Sequence, residues 1–494
     1  MALRKPLQGN AADVLSKLLT SAALISLPGA VKAGDLEELK KEIELLQERL
    51  PQLEATTVSD RQEPGSAVIL RRGQGTLGDW KIDRASDVQM PADRGATISI
   101  LPTAGLTEGV TEISVEGYVK GDFIADFDQS NLGTTFTNGA GNDANFQPDQ
   151  LFSTTAGQTR LRLRGVTDTK LGRMRAFIET DFFSTCDDQK CNRLRHALGI
   201  WDATDSLSLA IGRFWRLGYD QISGIRLVDF GGSAGEPENS RVEQVRVTYT
   251  KGPVEFVFGV QSPNNSTAVN TEAAGIGTGT SKSFGTAAYV DTPGWPRLGG
   301  HLLYQASPDR RFFLGGEIQQ HSMDVNAAGI AGPIPRANDK ELGWISSAGT
   351  KYAINDRVTF TGRIAFSSGM NALIAGAGAS TTINDTATAI RVNKAWGGFA
   401  GAGISLTDRL SYNVQWGFAD PFDRAMRGNG ISWSHVHTVH SNILWRPVSE
   451  VRLGCELMWS QKTNGKNFLA SAAGEGRRRQ ERALRGQFAA WFFF

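Results

Sequence analysis

From Ile113 to the end of the chain, apolar and polar residues alternate in runs of about ten, each closed by a turn signal before the next begins. In the first run Ile113, Val115, Gly117, Val119, Phe123 and Ala125 fall on one face, and Glu116, Tyr118, Lys120, Asp122 and Asp126 fall on the other. Successive side chains of a strand point to opposite faces, so this pattern suits a strand with lipid on one side and water on the other. Tight turns at Asp168 to Leu171, Ala203 to Ser206, Lys251 to Pro253, Ser307 to Arg310, Asn355-Asp356, Thr407 to Arg409 and Arg446 to Ser449 alternate with longer polar connections. Seven turns flanked by strands, with a first and a last strand added, predict sixteen strands whose tight turns share the periplasmic rim with both ends of the barrel. The predicted fold is all-β, a 16-stranded antiparallel transmembrane β-barrel over residues 113–494.

The final strand carries Leu484, Phe488, Phe492 and Phe494 on one face and ends Trp491-Phe492-Phe493-Phe494. Aromatics in that position suit the interfacial girdle of a strand that closes a barrel. Such a barrel implies outer-membrane lipid and lipopolysaccharide as surroundings. Through the strand ending at Phe494, it also implies the barrel-assembly machinery as a partner. No later segment offers the ~20 continuous apolar residues of a spanning helix.

The amino-terminal pattern is different. Arg4, Lys5 and Lys17 precede the apolar stretch Leu18 to Leu27 and the small-residue exit Val31-Lys32-Ala33, which reads as a signal peptide over 1–33. Leu36, Leu39, Ile43, Leu46, Leu50 and Leu53 then recur at spacings of three and four, a heptad seam flanked by Lys40, Glu42, Gln47 and Arg49. This predicts a periplasmic coiled-coil oligomerisation helix over 34–55, weakened by Pro51 and dependent on a larger assembly to gather the subunits. Residues 56–112, rich in Gly, Pro, Ser, Thr, Arg and Asp, read as a linker with small structured pieces.

A net charge of +1 over 494 residues argues against a nucleic-acid partner, which requires a basic footprint. The placement of charge says more than its sum. Arg160, Arg162 and Arg164 share a face opposite Leu161 and Leu163, and Arg173 and Arg175 stand opposite Met174, Ala176 and Ile178. Arg195 and Arg246 alternate with apolar neighbours in the same way. An arginine on the lipid face costs ~2 to 4 kcal/mol near the midplane, so these side chains are expected inside the barrel. There they either form a basic wall that favours anions or pair with Glu179, Asp181 and Asp122. Cys186 and Cys191 bracket a polar stretch between strands and are expected to form a disulfide, with Cys455 a free, buried thiol.

The segment 215–240 is long and mixes aromatics with charges. As the third extracellular connection it is expected to fold into the barrel, because Leu227, Val228 and Phe230 are poorly served by open solvent. That would bring Arg216, Tyr219, Asp220, Arg226 and Asp229 to a constriction.

Several segments together resemble the DcaP-like trimeric outer-membrane porins of Gram-negative bacteria. They are the amino-terminal leucine coil, Glu116-Gly117-Tyr118-Val119-Lys120, the hairpin from Thr159-Arg160-Leu161 to Lys170-Leu171-Gly172, Ile211-Gly212-Arg213-Phe214-Trp215 and Asp229-Phe230-Gly231-Gly232. The resemblance is densest over 113–265. It implies a sixteen-stranded, homotrimeric, passive diffusion channel, anion-preferring and used by small organic acids such as dicarboxylates, with no cofactor. The chain departs from the family pattern in its long 56–112 segment and its Cys186 to Cys191 loop. Two other classes stand beside it. One is a barrel that anchors envelope layers or acts as an adhesin through the coil. The other is a lipid-modifying barrel enzyme, against which the chain offers no Gly-x-Ser-x-Gly elbow, and only His435, His437 and His440 as candidate chemistry.

Overall fold

A computed structural model describes residues 68–73, 90–91, 93–102, 109–128, 136, 151–186, 189–218, 225–237, 241–263, 290–291, 295–307, 309–324, 339–378, 380–383, 390–421, 433–464 and 480–494. The signal-peptide and coiled-coil segments, 1–33 and 34–55, lie outside them.

Sixteen strands form the barrel. They are β1 (Thr111–Asp128), β2 (Arg160–Thr169), β3 (Gly172–Cys186), β4 (Gln189–Asp202), β5 (Leu207–Trp215), β6 (Arg241–Lys251), β7 (Val254–Gln261) and β8 (Arg297–Ser307). The second half comprises β9 (Arg310–Asp324), β10 (Asp339–Ala353), β11 (Val358–Ser368), β12 (Lys394–Ser405), β13 (Leu410–Pro421), β14 (Trp433–Val448), β15 (Val451–Asn464) and β16 (Gln480–Phe493). Each pairs antiparallel with the next, and β16 returns to β1 with Phe493 opposite Tyr118 and Phe488 opposite Phe123. Among the described residues the sheet therefore closes on itself, pairing the first strand with the last. All seven tight turns read from the sequence connect consecutive strands at one rim.

The alternation sorts as expected. Val115, Val119, Phe123, Leu161, Leu163, Ile178 and Phe488 present their side chains outward, while Glu116, Lys120, Asp122, Arg160, Arg162 and Arg164 are buried inside. Register then decides which charges meet. Glu116 stands opposite Arg162, and Arg162 opposite Glu179, so acid, base and acid lie in one row across β1, β2 and β3. The next row sets Tyr118 beside Arg160, Asp181 and Arg193. A bulge in β4 interrupts the period. Glu179 pairs with His196 and Thr180 with Leu194, so Arg195 is the extra residue and both Arg195 and His196 are buried inside.

Within 56–112, the strands Val68–Arg72 and Ala96–Ile100 form a hairpin, and the second continues the sheet along Thr111–Val115. It occupies the edge of β1 just beyond the place where β16 stops, at Phe494, whose backbone exchanges two hydrogen bonds with Gly117. The first barrel strand begins at Thr111, two residues before the boundary read from the pattern.

Two expectations require correction. Trp491 and Phe493 do not join Phe492 and Phe494 in an outer girdle: parity turns them inward, where they are buried against Tyr118, Val228 and Leu444. Cys455, expected to be buried, is a free thiol on the exposed outer face of β15, between the inward Gly454 and Glu456. Cys191 is disulfide-bonded. The side chain of Cys186, its expected partner, lies outside the described residues, and the backbone of Cys186 pairs opposite Gln189.

Candidate functional site

The connection from β5 to β6 folds into the barrel and is fixed to walls on several sides. At its start, the backbone N–H of Leu217 donates to Gln261 Oε1 at 2.9 Å and that of Gly218 to Glu317 Oε1 at 2.8 Å. The His301 Nδ1 lies 2.6 Å from the Leu217 carbonyl. Arg216 donates to Glu317 at 3.3 Å and to the Leu373 carbonyl at 3.1 Å, and it is fully buried. Arg216 thus ties the loop to β9 and to the connection between β11 and β12 rather than facing solute.

The second half of the loop reaches the opposite strands. The Ile225 N–H donates to Gln415 on β13, the Val228 N–H to Glu456 on β15, and Lys120 Nζ on β1 to the Val228 carbonyl at 2.8 Å. His440 on β14 shares Glu456 through a 2.7 Å contact at Nδ1. Val228 is buried among Tyr118, Leu444 and Trp491, and Phe230 stacks on Phe183 with ring centroids 4.6 Å apart. Further on, Gly235 and Glu236 exchange backbone hydrogen bonds with Ala375, and Pro237 bridges Ile374, tying this loop to the connection between β11 and β12. Gly235 has φ +77°, and a Cβ there would meet the backbone of Gly398 and Phe418, so the segment lies flat on β12 and β13 only because the residue is glycine. Asp229 is buried and accepts from the N–H groups of Phe136 and Gly231. Arg226 is exposed. Tyr219 and Asp220 lie outside the described residues.

The arginine ladder lies under this loop. Arg162 donates to Glu179 at 2.6 Å and lies 3.6 Å from Glu116, while Arg164 donates to Glu116 at 2.5 Å. Arg195 reaches Glu179 at 2.6 Å and Asp181 at 2.8 Å, and Arg193 holds Asp181 at 2.7 Å. Arg160 lies 3.8 Å from Glu179, between the rings of Tyr118 and Phe230, each centroid 5.8 Å from its Cζ. Among the described residues these five arginines meet Glu116, Glu179 and Asp181 in one network. A solute cannot touch Arg160, Arg162 or Arg164, each at most 2% exposed. The arginines pair with Glu179 and Asp181, as one of the two sequence readings expects.

Arg173, Arg175 and Arg246 stand elsewhere. They line a recess of about 680 Å³ near the tight turns, together with Asp168, Asp202 and Glu255. Arg173 donates to Asp168 at 2.7 Å and Arg175 to Asp202 at 2.6 Å, while the Arg246 guanidinium lies 4.7 Å from the Phe214 ring centroid. Sequence reasoning missed the anchors Glu317, Glu456, Gln415 and Lys120. Their only local signal is a polar side chain at an inward position, and what they bind is more than 90 residues away.

Two loop carboxylates respond to pH. Burial raises the Asp229 carboxyl above its ordinary value, with the Glu456 charge adding to it and His440, Arg485 and the Phe136 amide opposing it. Burial also raises Glu236, against hydrogen bonds from Ser233 and Gln415. A docked carboxyl with a raised value binds its proton more tightly than an undocked one. The docked loop is therefore most stable below the ordinary carboxyl range and loses that increment as pH rises through the raised values. Protection of the 225–237 amides against hydrogen exchange, corrected for intrinsic rates, is expected to increase on acidification in the parent and less in the Asp229→Asn, Glu236→Gln double variant. Equal responses in the two proteins would refute this.

In fold the chain is similar to the outer-membrane channel DcaP of Acinetobacter baumannii, with a TM-score of 0.62 and 18% identity over 78% of this chain and 97% of that one. It is similar at lower TM-score to the anion-selective porin from Comamonas acidovorans, 0.48 with 14% identity over 78% of this chain and 100% of that one. The outer-membrane expressed OmpT of Vibrio cholerae gives 0.47 with 10% identity over 79% and 99%. No protein-family model and no curated protein matches the chain. The chain shares its sixteen-stranded fold with an outer-membrane channel, and the DcaP-like resemblance read from its residues agrees with that fold.

Proposed function

We propose that the protein is a porin of the bacterial outer membrane that lets small hydrophilic solutes diffuse passively and favours anions, small organic acids such as dicarboxylates among them. The observation that carries this reading is an arginine-rich wall beneath a loop folded into a sixteen-stranded barrel. A barrel of this size encloses an aqueous channel unless something fills it, and the loop sets its width. The buried arginines act on the passage through their field, which a narrow, low-dielectric surround concentrates. Arg226 is the loop cation that solute meets directly. We assign assembly as a homotrimer to the barrel wall and to the amino-terminal coil.

Single-channel recording in a planar bilayer under a salt gradient tests this reading. The parent is expected to give currents in steps of three with an anion-selective reversal potential. Replacing Arg160, Arg162 and Arg164 with Ser removes three positive charges and leaves Glu116 and Glu179, so the reversal potential is expected to move toward cations. An unmoved potential would remove the ladder from the mechanism, and a folded parent barrel without current would remove the porin reading.

A further inference from the structure

The connection between β11 and β12 carries its own hold on the wall. Its neck is closed by the Gly369 N–H, which donates to the Asn393 carbonyl at 2.7 Å. His321 Nε2 on β9 lies 2.6 Å from the Gly369 carbonyl, and the Met370 N–H donates to Ser367 Oγ at 3.1 Å. A single helical turn follows, Asn371–Leu373, and the short strands Thr381–Ile383 and Ile390–Val392 then pair antiparallel. Leu373 and Ile374 are buried with Ile345, Ala365 and Ala395, which belong to β10, β11 and β12. That apolar contact anchors the connection independently of the loop between β5 and β6.

The last part of the β5–β6 loop is built differently. From Gly231 to Pro237 it reads Gly-Gly-Ser-Ala-Gly-Glu-Pro, with no large apolar side chain to bury. Backbone groups set its place, and they converge with the start of the loop on three consecutive residues of the connection. Arg216 donates to the Leu373 carbonyl at 3.1 Å, and Pro237 bridges Ile374. The Gly235 N–H donates to the Ala375 carbonyl at 2.7 Å, and the Ala375 N–H donates to the Glu236 carbonyl at 2.9 Å. The wall adds Thr438 Oγ1, which accepts from the Ala234 N–H at 2.8 Å, and Gln415, which donates to Ser233 Oγ at 2.8 Å. Holding both ends of a segment at one place removes much of the freedom that opposes ordering it.

We propose that Leu373, Ile374 and Ala375 form a clasp that positions the constricting loop, so that the width of the passage is set from the β11–β12 connection as well as from the loop. The dependence runs one way: the connection has an apolar anchor, whereas the 231–237 end of the loop has no such anchor of its own. Gly343 on β10 allows the clasp to be disturbed from a distance. The atoms nearest to a Cβ there belong to His321 and the Gly369 carbonyl, at 2.6 to 3.0 Å, and not to the loop. This positioning deepens the porin reading and rests on it for its effect on solute.

Hydrogen exchange of the detergent-solubilised full-length protein, read by mass spectrometry and needing no current, tests the clasp. Gly343→Val crowds the neck of the connection, and Leu373→Ala removes apolar contact while leaving the carbonyl that Arg216 binds. In both variants the amides of Ala234, Gly235 and Glu236 are expected to exchange at least about tenfold faster than in the parent, with the strand amides of β1 to β3 unchanged. Leu373→Met keeps the volume of the side chain and is expected to retain parental exchange. Parental exchange over 234–236 in both Gly343→Val and Leu373→Ala would overturn the clasp. In a planar bilayer the same two variants are expected to carry larger and noisier currents than the parent. Faster exchange in a folded barrel that carries no current would leave the clasp standing and remove the porin reading alone.

Discussion

Replacing Glu179 with Gln is expected to lower the stability of the folded barrel by about 3 to 5 kcal/mol, read as the shift of its urea unfolding midpoint. The substitution keeps the shape of the side chain and removes only its charge. Glu179 is 2% exposed and sits between Arg162 and Arg195, each at 2.6 Å, with Arg160 at 3.8 Å and His196 Nε2 at 3.8 Å. Without it, the carboxylates described beside Arg162 and Arg195 are Glu116 and Asp181, which also serve Arg164 and Arg193. Uncompensated charges repelling one another in a low-dielectric wall cost far more than a lost surface pair. Arg213 and Glu243 provide the contrast: their 2.6 Å ion pair has a glutamate side chain 65% exposed, and Glu243→Gln is expected to cost at most about 1 kcal/mol. Similar midpoints for the two variants would mean that the buried network contributes little to the fold.

The sequence made the barrel legible because its rules are local. Parity fixes where Arg160, Arg162 and Arg164 point as soon as Leu161 and Leu163 are assigned to lipid, and short turn signals mark the rim. The inward loop was legible from the same kind of argument, since Val228 and Phe230 need cover and find it on Trp491 and Phe183. Pairing was not legible, because register between strands joins residues whose separation the pattern does not encode. Nothing near Arg485 announces Asp126 as its partner 359 residues away. Local rules also fail where the period slips: the β4 bulge sends Arg195 and His196 to the same side. At the last strand, aromatic composition suggested one environment for four residues, whereas parity divides Trp491 and Phe493 from Phe492 and Phe494.

Freeing the loop is expected to change the passage more than any wall substitution. Deleting residues 225–237 removes the part that reaches β12 to β15, and with it Arg226 and the cover over Arg160 and Arg195. The narrowest section then approaches that of the bare barrel, and single-channel conductance is expected to rise by roughly twofold or more. Anion preference is expected to fall with it, because a wider aqueous lumen screens the wall charges that a narrow one concentrates. Gly235→Val reaches the same end by a single residue: its side chain has no room against the backbone of Gly398 and Phe418, and φ +77° disfavours it independently. The barrel strands do not depend on that position, so the variant is expected to stay folded while its currents become larger and noisier than those of the parent. The two variants are informative together. Unchanged conductance after the deletion would place the limiting section outside the loop, whereas a change in the deletion without one in Gly235→Val would mean that the Gly235 contact does not hold the loop in place.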